Sequence, residues 1–92
     1  MADDKIQLQH PQGKHMPRID RDKYEITRKA MLSVLKGKEI IHTELFELLH
    51  EKLNGKFDGS ISWYGESVKL DLEARKLIER TNDRPQKYRV KN

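Results

Sequence analysis

The sequence has no cysteine, so neither a disulfide framework nor a thiolate metal site is open to it. No apolar run approaches the ~18 residues of a membrane span, and residues 1–20 hold no signal-peptide core. The expectation is a soluble cytoplasmic protein without a membrane partner. Aromatics are scarce, with one tryptophan, three tyrosines and two phenylalanines among 92 residues. A chain this short is one domain and buries only roughly 60–65 % of its unfolded surface, so each large apolar residue counts.

A uniform basic face of the kind that grips phosphates is also missing. Residues 1–38 carry nine Lys/Arg against five Asp/Glu, a net +4. Residues 39–83 carry six against ten, a net −4, and residues 84–92 carry four against none, a net +4. Basic charge therefore collects at the two ends and the middle is acidic.

Catalytic and metal-binding patterns are absent too. His10, His15, His42 and His50 fall in no HExxH spacing, and Ser60 and Ser62 have no histidine placed with them by a recognisable motif. Gly55, Gly59 and Gly65 do not make a phosphate loop. The acidic residues of the second and third helices read as solvated faces. The expectation is a protein that is not an enzyme and has no catalytic residues, no cofactor and no metal.

What is present is a run of short amphipathic elements. Residues 1–21 read as an N-terminal arm, with Ile6 and Leu8 alternating with polar residues before a turn at His10-Pro11-Gln12-Gly13. Residues 22–92 read as the folded domain. A first helix starts at Asp22 with Glu25 completing a capping box, shows Ile26, Ala30, Met31, Val34 and Leu35 at helical spacing, and ends at Gly37. Ile40-Ile41 suits a short strand. Thr43 caps a second helix with Leu45, Phe46, Leu48, Leu49 and Leu53 on its apolar side. Ser60 or Ser62 caps a third helix that runs to about Arg75. Leu77–Thr81 and Lys87–Val90 then form two strands around the turn formers Asn82 to Gln86. The expected core is Ile26, Ala30, Met31, Val34, Leu35, Leu45, Leu48, Leu49, Leu53, Ile61, Tyr64, Val68, Leu72, Leu77 and Val90.

The helix Leu72-Glu73-Ala74-Arg75, the following Leu77-Ile78, the charged tip and Tyr88-Arg89-Val90 resemble the third helix and wing of a winged helix-turn-helix domain. The resemblance covers residues 22–90. It is more specific at Arg18 to Glu25, Phe57 to Ile61, Trp63-Tyr64 and Val68 to Arg80, where the chain looks like a family of small bacterial winged-helix proteins of unknown function. The resemblance implies a mainly α fold, a three-helix bundle plus a small β-hairpin, and assigns no activity. It also implies glycine where this chain has Lys76, since that turn favours a left-handed residue; lysine there costs roughly 1 kcal/mol.

By helical angle, Ile61, Tyr64, Val68 and Leu72 face the core, with Gly65 beside them for close approach of another helix. The opposite face shows Trp63 and Leu70 flanked by Glu66 and Glu73. Two readings follow. In the first, the chain is a DNA-binding, transcription-regulating winged helix that contacts duplex DNA through Ser62, Ser67 and Lys69 on the third helix and Arg84, Lys87 and Arg89 on the wing. In the second, the Trp63/Leu70 face serves protein interaction or homodimerisation and no DNA is bound; a Trp63 covered by the arm instead leaves the wing as the main candidate surface. Superfamily habit favours the first. Independently of that choice, Trp63 is expected to be mostly buried, by the arm or by a second copy.

Overall fold

Ile6 and Ile19 face each other across the first pairing in the chain, between strand β1 (Lys5–Gln7) and strand β2 (Arg18–Asp20), which run antiparallel. The structure is a computed structural model and describes residues 4–91. The intervening segment turns at His10, where the Gly13 amide donates to the His10 carbonyl at 2.9 Å and Gly13 takes a positive φ of 76°. Leu8, Met16 and Ile19 are all buried and belong to the same core as the helices. The arm is therefore packed against the helices as a hairpin, with its apolar residues in their core.

Helix α1 (Arg21–Leu35) follows β2 directly. The expected capping box at Asp22 is absent, because the helix starts one residue earlier and no side chain caps it. The hairpin supplies part of what a cap would provide. The Arg21 amide donates to the Asp4 carbonyl at 2.9 Å, and the Arg21 guanidinium meets Asp4 Oδ1 at 2.8 Å. The buried stripe of α1 is Tyr24, Thr27, Ala30, Met31, Val34 and Leu35. Ile26, expected in the core, is 41 % exposed. At 100° per residue it lies more than about 100° round from the centre of that stripe, and Tyr24 takes the inward place.

Strand β3 (Ile40–Ile41) runs straight into helix α2 (His42–Leu53), so Thr43 sits inside the first turn and does not cap it. Helix α3 (Ile61–Ala74) starts as expected from Ser60, whose hydroxyl accepts from the Trp63 amide at 3.1 Å. Gly65 brings α2 and α3 together. A Cβ there would lie 2.8 Å from the Phe46 ring and 3.4 Å from Leu49, too close for any other residue without a shift.

The end of α3 is a Schellman turn. The Leu77 amide donates to the Leu72 carbonyl at 2.9 Å and the Lys76 amide to the Glu73 carbonyl at 3.1 Å. Lys76 sits at φ 66°, the single non-glycine residue with positive φ among those described, in the place where glycine is expected. Strands β4 (Ile78–Arg80) and β5 (Lys87–Val90) complete a three-stranded antiparallel sheet of order β3-β5-β4, with Ile40 opposite Tyr88 and Ile78 opposite Val90. Ile40, Ile78 and Tyr88 carry the sheet's burial, while Leu77, expected inside, is 40 % exposed. Leu77 continues the pairing, its carbonyl accepting from the Lys91 amide at 3.0 Å, but it precedes the buried Ile78 by one residue and so takes the opposite face. The result is a small α+β domain of three helices and two small antiparallel sheets. No described helix is long and apolar enough to cross a membrane.

Candidate functional site

The face of α3 turned away from the core falls into two halves with different surroundings. Its C-terminal half is closed by polar contacts. Asp71 is fully buried, and its two carboxylate oxygens serve three donors. Oδ1 accepts from the Gln9 amide at 2.8 Å; Oδ2 accepts from the Tyr24 hydroxyl at 2.6 Å and from Arg75 Nε at 2.8 Å. Arg75 also donates to the Gln7 carbonyl at 3.4 Å. One carboxylate thus joins the hairpin, α1 and α3. Burial first, and then the hydrogen bond to Asp71, push the Tyr24 phenol well above its ordinary value, so Tyr24 stays neutral and donates.

Lys69 is the second closure. It is 1 % exposed, and its ammonium lies 3.3 Å from Glu73, 3.6 Å from Glu66 and 4.7 Å from the centre of the Tyr88 ring. Arg80 of β4 also pairs with Glu73 and lies 5.5 Å from the Tyr88 ring, and its hydrogen bond to Glu73 raises its own pKa. These contacts anchor the sheet to the helix. Ser67 is 8 % exposed. Two of the three helix residues expected to read bases, Ser67 and Lys69, are therefore inside the protein. Asp71 and Glu73, expected on a solvated face, are buried or nearly so and fully paired. Leu70 is half-buried against the core, and the hairpin turn borders it, since His10, Pro11, Gln12 and Lys14 line one groove with Leu70, Glu73 and Arg80.

The N-terminal half is open. Trp63 is 46 % exposed in the single chain, so the arm does not bury it as expected. Its ring meets that of Tyr64 edge-to-face, centroids 4.9 Å apart, and it is not among the residues lining the groove between the hairpin turn and Leu70. Ser62 and Glu66 are exposed beside it and are held by α2. His50 Nε2 lies 3.1 Å from the Ser62 hydroxyl, and His42 Nε2 lies 3.1 Å from Glu66 Oε1. Between these two rungs His42 stacks on Phe46 at 4.4 Å. His42, Phe46 and His50 line a shallow hollow together with Thr43, Glu47 and Glu51. Among the described residues no three His, Asp or Glu side chains converge as a metal shell requires.

The wing separates similarly. Arg89 is engaged by both Glu39 and Glu79, and those hydrogen bonds raise its pKa; it is not a free cation. Arg84 is exposed at the tip and Lys87 is half-buried at the start of β5, and neither forms an ion pair among the described residues. The sequence points to Trp63, Ser62 and the wing. It does not point to Asp71, to Tyr24 or to the two histidine rungs, because these depend on contacts 12 to 62 residues apart along the chain.

The fold and this surface define a small three-helix α+β domain with a half-open third helix. Residues 5–88 match a family described as a family of unknown function (DUF6958), and the chain belongs to it. No curated protein and no solved structure matches the chain.

Proposed function

We propose that this domain is a non-catalytic protein-interaction module with a winged-helix arrangement, and that the face shared by α2 and the N-terminal half of α3 receives its partner. The observation that carries the reading is the exposure of Trp63, the chain's one tryptophan, on a helix whose other large apolar residues are packed. An exposed indole amid polar side chains is the composition of an interface centre. The winged-helix arrangement rests on three helices followed by a β-hairpin that packs back on α3.

Base reading by α3 fits less well. Lys69 and Ser67 would have to leave the interior, and Glu66 with the carboxylates of α2 would repel phosphates. The test is an array of randomised short peptides probed with the labelled full chain and with Trp63→Ala. The reading expects a set of peptides that bind the native chain and lose the variant. An array in which no sequence depends on Trp63 would contradict it.

A second reading keeps duplex DNA as partner through the wing, because Arg84 is exposed and has no ion pair among the described residues, with Lys87 nearby. Here affinity would be modest and independent of sequence. Replacing Arg84 and Lys87 with Gln would lower the slope of log K against log salt by about 0.9 for each phosphate no longer neutralised. A native chain that binds no mixed-sequence duplex at low salt would remove this reading.

A further inference from the structure

We propose that the partner seated on the α2–α3 face is a basic, arginine-containing segment of another protein. This rests on the interaction-module reading and adds the chemistry of what is bound. Complementarity carries it. Glu47 and Glu51 line the hollow of α2 and form no ion pair among the described residues. Glu66, three residues along α3 from Trp63, is half-exposed, with His42 of that hollow on one oxygen and Lys69 on the other. Every other carboxylate of α3, by contrast, is consumed inside the protein by Tyr24, Arg75, Lys69 or Arg80.

The open half therefore combines carboxylates able to accept with one exposed aromatic face. An ammonium or guanidinium over a tryptophan ring is attracted by the ring's quadrupole, and tryptophan is the best ring for it. Arginine suits the arrangement better than lysine. Its planar fork can stack on the indole and still donate two parallel bonds to a carboxylate. The fixed rungs from His50 to Ser62 and from His42 to Glu66 hold the two helices in register, so the surface is preformed. An acidic segment or a nucleic-acid backbone would meet the same carboxylates with repulsion. A second copy of this chain would have to bring a cation of its own, and exposed loop candidates include Arg84, Lys14 and Lys56.

The experiment uses the peptides that depend on Trp63 in the array. They should be enriched in arginine over the starting library. The tightest is then labelled and its anisotropy followed with the full chain. Trp63→Ala should weaken it roughly tenfold. The pair Glu47→Gln and Glu51→Gln should weaken it several-fold and flatten its salt dependence, with the circular dichroism spectrum unchanged. Changing the peptide's arginines to lysine should cost part of the affinity, and changing them to glutamine nearly all of it. Trp63-dependent peptides that are neutral or acidic would overturn this proposal and leave the interaction reading standing. So would a dimer in sedimentation that Trp63→Ala dissolves, since the occupant would then be a second copy. Arginine peptides indifferent to Glu47→Gln and Glu51→Gln would overturn it as well. If no peptide depends on Trp63, both fall.

Discussion

The two halves of one helix teach different lessons. From Ser67 to Glu73, α3 is bound to the rest of the protein by buried ions: Asp71 holds the hairpin and α1, and Lys69 with Glu73 holds the sheet. From Ser62 to Glu66, the same helix presents an indole and a carboxylate to solvent, fixed from one side by two histidines. A buried charge network has to be complete to be tolerated, and this one is; no buried side-chain polar atom among the described residues lacks a partner. Such a network specifies one arrangement and has nothing left over for a ligand. The open half gives up the stabilisation that burying an indole would bring, and it is the part of the surface on which the proposed partner is placed.

The largest effects should come from breaking the closed half. Leu72→Ala removes a fully buried side chain and should cost about 2–5 kcal/mol. In so small a domain this approaches the whole stability, and urea denaturation would read it. Asp71→Ala should cost roughly 3 kcal/mol, because it strands the Tyr24 hydroxyl, the Gln9 amide and Arg75 together. Arg75 is partly exposed and can turn to water, so the value should not be greater. A loss below about 1 kcal/mol would show that the hairpin does not depend on this carboxylate.

A smaller effect should appear with pH. The folded pKa of Tyr24 lies above its unfolded value, through burial and then through the Asp71 hydrogen bond. Its contribution is therefore complete below the unfolded value, about pH 10, and is lost as the pH rises from there through the folded value. Above about pH 10 stability should fall more steeply in the native chain than in Tyr24→Phe. Parallel curves would show that the phenol gains nothing from its site.

The fold was largely legible because its signals are local. Helical spacing marked α2 and α3, Ser60 marked a cap, Gly37 and Gly55 marked helix ends with positive φ, and Gly65 marked a close approach. Lys76 also stood out as a residue in a glycine's place, and Lys76→Gly should stabilise by roughly 1 kcal/mol. The site was less legible, because a charged residue does not announce its partner. Lys69 and Arg89 looked like free cations and Asp71 like a solvated anion. Each is neutralised by other residues, and Asp71 also reaches across 62 positions to the Gln9 amide. Ile26 and Tyr24 changed places for a related reason: Ile26 falls near the edge of the helical spacing that marked the stripe, and the stripe's actual centre, with a buried carboxylate awaiting a hydroxyl, takes in Tyr24 instead.

The smallest effect belongs to the open half, and it sharpens the comparison most. Trp63→Ala should cost below about 1 kcal/mol, against about 3–5 kcal/mol for a tryptophan in a core. A core-sized loss would mean that the indole is structural. The most direct measurement follows Trp63 emission while the array-selected peptide is added to the full chain in the presence of excess mixed-sequence duplex. The account predicts that the peptide shifts the emission and that the duplex neither shifts it nor competes. An emission that the duplex itself moves, or a peptide effect that the duplex abolishes, would contradict it and make the α3 face a nucleic-acid surface.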